Sequence, residues 1–97
     1  MQSKYVTQGV TETIPSYIQN ILWFMVEKMV VDKKDYLQIF VLDAITVKGK
    51  VIQKVIHMQE QPAYKKEHLL PVTDAIKAKV YIIDDKSHST MLLASEY

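Results

Sequence analysis

The chain has 97 residues, 48% of them hydrophobic and 24% charged, with a net charge of +1 and no cysteine. That length suits a single domain able to bury roughly 60–65% of its unfolded surface. The even balance of charge excludes disorder and a strong general attraction to polyanions. Without cysteine there is no disulfide staple and no thiolate chemistry.

Residues 48–79 carry seven lysines against Glu60, Glu67 and Asp74, a net +4, whereas residues 1–47 come to −1 and residues 80–97 to −2. All twelve basic residues are lysine. Lysine is a point charge and lacks the planar fork that reads phosphates and guanines bidentately, so sequence-specific DNA recognition is disfavoured. The N-terminus lacks a basic start followed by an apolar core. The apolar stretch from Ile14 to Val31 is interrupted by Ser16, Gln19, Asn20, Glu27 and Lys28 and cannot span a bilayer. A cytoplasmic protein is expected, with no membrane partner.

Lys4 to Gln8 alternates and stops at Gly9, which predicts a short first strand. Pro15 suits the first turn of a helix, with Thr13 or Ser16 available as its cap. Ile18, Ile21, Leu22, Met25 and Met29 recur at helical spacing until Asp32-Lys33-Lys34-Asp35 ends the run, giving a helix of about seventeen residues. Its middle, Ile21-Leu22-Trp23-Phe24-Met25-Val26, is apolar nearly all round, so more than one flank needs a cover.

After Asp35 the period becomes two. Tyr36 to Val47 and Val51 to Gln59 read as strands joined by a turn at Lys48-Gly49-Lys50. Gln61-Pro62 breaks the pattern, and residues 63–67 fit either a loop or one helical turn. His68 to Val72 reads as a short edge strand, because Pro71 cannot donate to a central ladder. In Ile76 to Asp84, Ile76, Ala78, Val80 and Ile82 share one face, with Lys77, Lys79 and Tyr81 on the other. Asp84 to His88 is a polar turn, and Thr90 to Ala94 is a last strand. The expectation is an α+β domain over residues 1–97. One long N-terminal helix packs against five or six mostly antiparallel strands, curled or partly closed around it.

Several stretches together resemble a known family. They are Tyr5-Val6-Thr7 with Gly9, Glu12-Thr13-Ile14-Pro15, Ile21-Leu22-Trp23 and Asp35-Tyr36-Leu37-Gln38-Ile39-Phe40. Gln59-Glu60-Gln61-Pro62 with Tyr64-Lys65-Lys66-Glu67, and Ser89 to Ala94 with Glu96-Tyr97, complete the set. The chain resembles the small uncharacterised proteins of Gram-positive bacteria and their phages catalogued as domain of unknown function 960. The resemblance implies a self-contained domain and brings no activity, ligand or site residue.

Four residues form the first candidate site. Trp23 lies about 140° from Ile18 on a helical wheel, among Gln19 and Glu27, with Val30 beside it. A tryptophan in polar surroundings serves as an anchor at interfaces, for another protein or for a second copy in a homodimer. The alternative is burial within the monomer by the curled sheet. A second candidate is a charged and aromatic surface for single-stranded nucleic acid, using Lys54, Lys65, Lys66, Lys77, Lys79 and Tyr81. An ordinary solvated sheet face explains the same residues and is favoured.

Asp84, Asp85, Ser87 and His88 are spaced as a turn rather than as a catalytic triad, and no nucleophile elbow or phosphate loop occurs. His57, His68 and His88 are too far apart for paired metal ligands, so no cofactor and no metal are expected. The five methionines, Met1, Met25, Met29, Met58 and Met91, read as core filler. The reading is a non-enzymatic interaction module, with nucleic acid binding as the alternative. A hydrolase or transferase would need a pocket that brings distant His and Asp together.

Overall fold

The computed structural model describes residues 3–72 and 74–97. Two α-helices lie near the N-terminus: α1 (Gln8–Thr13) and α2 (Ser16–Lys28). The strands are β1 (Ser3–Val6), β2 (Leu37–Val47), β3 (Lys50–Gln59), β4 (Tyr64–Leu70), β5 (Ala78–Asp84) and β6 (His88–Leu93), and a 3-10 turn, Ala94–Glu96, follows. The sheet order is β1-β6-β5-β2-β3-β4. Only the β1–β6 pair is parallel, and the other four pairings are antiparallel. No helix among the described residues is long and apolar enough to cross a membrane.

The β2–β3 hairpin follows from its turn. Lys48 and Gly49 both take positive φ, 52° and 80°, the conformation that matches the strand twist in a two-residue connection. That turn fixes the register, pairing Phe40 with His57 and Leu42 with Val55. Val80 pairs with Phe40 from the other side, and Met91 with Ile82. All seven of these side chains are buried on one face, beneath α2. Val10, Ile14, Ile18, Leu22 and Met25 come down onto them to make the core. Burying each such side chain contributes about 1.5–3 kcal/mol.

Three expectations need correction. The sheet is not closed around the helix and ends in two edges, β1 and β4. The long helix has 13 residues, not seventeen, because Met29 already has extended backbone at ψ 142°. The residues just before it form a separate helix, α1, where only a strand end was expected. Gln8-Gly9-Val10-Thr11-Glu12-Thr13 has weak intrinsic helix propensity. Its helix is held by its surroundings: Thr7 Oγ1 accepts from the Val10 amide at 3.2 Å, and Val10 is fully buried.

β4 also begins earlier than expected, at Tyr64, and ends just before Pro71. The apolar run of α2 is shared between directions. Leu22 and Met25 point into the core, and Ile21, Trp23 and Val26 pack against its margins. Phe24 remains 56% exposed, with Lys28 Nζ 5.6 Å from its ring.

Candidate functional site

The helix-side face carries four buried polar residues, Gln38, Gln53, His57 and Gln59. They are structural clips. Gln59 accepts from the Asp35 amide at 2.8 Å and from Gln38 Nε2 at 2.7 Å, and donates to the carbonyls of Lys33 and Pro62. Gln38 Nε2 also donates to the Asp35 carbonyl. The loop leaving α2 and the turn before β4 are thereby fastened to the sheet. At the opposite end, Gln53 holds Ile76 through both its amide and its carbonyl, at 2.8 and 3.0 Å.

With Gln38 Nε2 committed as a donor, its Oε1 is the acceptor for His57, so His57 Nε2 carries the proton, at 2.7 Å. The imidazole stacks on Phe40 at 4.5 Å and meets Tyr64 edge-on at 5.2 Å. His57 Nδ1 is buried with no hydrogen-bond partner, as is His68 Nε2. Burial pushes the His57 pKa down to about 4, and His68 adds repulsion. Burial, then Lys66, lowers His68 as well. Among the described residues, no group of three or more His, Asp or Glu is placed to hold a metal ion.

Asp84, Asp85 and His88 make the turn that their spacing implied. Asp84 Oδ1 accepts from the Lys86 amide at 2.8 Å, Asp85 Oδ1 from the His88 amide at 3.1 Å. Asp85 Oδ2 also lies 3.0 Å from His88 Nε2.

The first candidate site is divided among different tasks. Trp23 is half-buried against the core, with Lys4 Nζ 5.5 Å from its ring. Glu27 accepts from Lys4 at 2.7 Å, and this contact holds its carboxyl below the usual range. Gln19 Nε2 donates to the Ile14 carbonyl at 2.8 Å. Val30 is 91% exposed beyond the helix end. Beside Trp23, a cavity of ≈ 210 Å³ runs between α2 and the β1 edge, bordered by Lys4, Val26, Tyr36 and Ile82.

The larger apolar surface is on the sheet's other side. Strand registry puts Met58, Ile39, Tyr81 and Leu92 in one row across four strands. Leu37, Ile83 and Thr90 form a second row, and Ile56, Val41 and Lys79 a third. Leu92 is buried and Lys79 exposed, the other side chains are partly buried, and none belongs to the core beneath α2. Tyr97 reaches this side, where it meets the Tyr81 ring edge-on at 5.3 Å and stays 67% exposed. A hydrogen bond to Tyr97 raises the pKa of Tyr36 at the same margin.

The charges lie around this apolar centre. Lys54 pairs with Glu67 at 3.5 Å and Lys77 with Asp43 at 3.8 Å. Of the nucleic-acid candidates, Lys54, Lys65, Lys79 and Tyr81 share this face and Lys77 sits at its end, while Lys66 points to the helix side. Met58 is likewise on the open face and not in the core, whereas Met25, Met29 and Met91 are buried as expected. Met1 lies outside the described residues.

Residues 3–96 match the family described as Staphylococcal protein of unknown function, DUF960. The chain belongs to this family. A similar fold is found in the crystal structure of a protein of unknown function from Enterococcus faecalis. The two chains are 25% identical and superpose with a TM-score of 0.80, over 99% of this DUF960 chain and 91% of the other. No curated protein matches this DUF960 chain.

The oily excess expected on the helix lies instead on the open sheet face. The signal was present: Leu37 to Leu42 is apolar at five of six positions, so β2 is apolar on both sides.

Proposed function

We propose that this DUF960 protein is a non-enzymatic cytoplasmic binding module that docks another protein chain on its open sheet face. The supporting observation is the row Met58–Ile39–Tyr81–Leu92, an apolar centre that no described helix covers. Contiguous apolar surface rimmed by charge marks protein-binding sites on otherwise soluble domains. Tyr36 and Tyr97 beside the central Tyr81 add aromatic side chains of the kind enriched at interfaces.

Nucleic acid is the weaker reading for the same face. Lys54 and Lys77 already have acidic partners, and the centre is mostly aliphatic where base stacking needs aromatic platforms. A mobility-shift titration at ~50 mM salt tests it, since electrostatic binding is strongest at low salt.

The binding role is tested in cells with a benzophenone amino acid introduced at position 81, on the open face, or at position 24, on the exposed side of α2. Adducts to protein from position 81 and few from position 24 are expected. No adduct from position 81 would overturn the reading.

A further inference from the structure

We infer that the chain covering the open face is a second copy of this protein, stacked sheet against sheet about a two-fold axis. The inference rests on the binding role proposed above and names the partner.

Area is the first argument. Six strands of four to eleven residues, about 4.8 Å apart and rising ~3.3 Å per residue, make a face of roughly 600–700 Å² in projection. Side-chain relief adds to that figure. Stable dimers bury about 800 Å² per partner, so one copy of this face suffices for another without further segments.

Charge is the second. A two-fold contact sets a surface against itself, so a strongly signed face would repel its own copy. This one holds acids and bases together: Asp43 and Glu67 lie beside Lys54, which faces Asp43 in the adjacent strand. Their attractions are already satisfied within the chain. Lys65 and Lys79 on the same face leave a modest positive excess, so a copy meets a small like-charge penalty and no strongly charged stranger is called for.

Shape is the third. Aligned sheets stack about 10 Å apart with strands near 30° to one another, as in a β-sandwich. Both α2 helices would then lie outside, giving four layers, and the Ile39 rows would cross at the centre. Tyr97 lies against Tyr81 of the central row, so its ring would be part of this contact.

The test is sedimentation velocity of the full chain from about 1 to 500 µM. A species of twice the 11.2 kDa chain is expected, with dissociation at low micromolar concentration. Ile39→Glu should weaken association at least ~100-fold, and Phe24→Glu, on the outer side of α2, should leave it unchanged. Because a charge in the middle of β2 can impair folding, intermolecular NOEs in a mixture of labelled and unlabelled wild-type chains supply a second measurement. Contacts between methyl groups of Ile39, Ile56 and their copies are expected.

A monomer at every concentration, or NOEs arising from α2 instead, would overturn the inference. If position 81 still formed adducts with a different protein in cells, the second copy would be excluded while the binding role survived. Loss of both would remove the binding role as well.

Discussion

His57 Nε2 meets Gln38 Oε1 at 2.7 Å in the middle of the core, and Gln38 passes the constraint on to Gln59. This arrangement needs His57 neutral: a second proton would go on Nδ1, which is buried with no acceptor. The folded pKa of about 4 lies below the unfolded value of 6.5. Between those values the unfolded chain binds a proton that the folded chain does not. Stability is therefore highest above pH 6.5, falls as pH drops towards 4, and flattens below, losing ~3 kcal/mol in all. Urea melts at pH 7, 5.5 and 4.5 should trace that loss, and His57→Leu should flatten it. His68, also lowered, adds a smaller loss in the same direction.

Gln59 makes four hydrogen bonds from a buried position. Gln59→Leu keeps the volume but strands the Asp35 amide and the Lys33 and Pro62 carbonyls. A cost of ~2–4 kcal/mol is expected, since each buried polar group left unpaired costs about 1–3 kcal/mol. The midpoint of urea unfolding checks it, and a shift under ~0.5 kcal/mol would mean the loops are held by other contacts.

Glu96 sits where a side chain on Gly9 would go: an added β-carbon would meet its carboxylate oxygens at 2.7 and 2.9 Å. That carboxylate accepts from the Leu93 amide at 2.8 Å and from Thr7 Oγ1 at 2.7 Å. These contacts, with the Gly9 amide, hold its pKa below the usual value. The C-terminal turn thus braces the start of α1. Gly9→Ala and Glu96→Ala should each lower the melting temperature, and the double variant should lose less than their sum. Full additivity would mean that the two residues do not share one contact. The Glu96 contribution is present above pH ~4.5 and lost as pH falls through the depressed folded value, below the His57 window.

Trp23 and Phe24 are neighbours with different surroundings. Trp23 packs against the core, whereas Phe24 is more than half exposed. Trp23→Ala should cost ~2 kcal/mol of stability and Phe24→Ala under ~0.5 kcal/mol. Equal costs would contradict this division of the helix.

Where sequence pattern and burial coincide, the fold was legible. The Lys48-Gly49 turn and the face shared by Ala78, Val80 and Ile82 were both readable, because each follows from local chemistry or strict alternation. Helix α1 was not, since Glu96, far away in sequence, helps hold a segment with poor propensity. An edge strand was legible from His68, but the first half of β4 was hidden because Lys65, Lys66 and Glu67 are polar on both faces of an edge. Buried Gln38, Gln53 and Gln59 looked like surface residues, their partners being loop backbone that no spacing reveals. The apolar excess was visible but assigned to the helix. In the structure α2 spreads its apolar side chains over the core and its margins, and the surplus falls on β2, β3 and β5.

The most direct test of that surplus is the peroxide oxidation rate of Met58, in the central row of the open face, followed by mass spectrometry at ~1 and ~500 µM chain. A second copy on the face predicts oxidation slowed about tenfold or more at the higher concentration, with the rates of Met25 in α2 and Met29 at its end unchanged. A Met58 rate independent of concentration would contradict it.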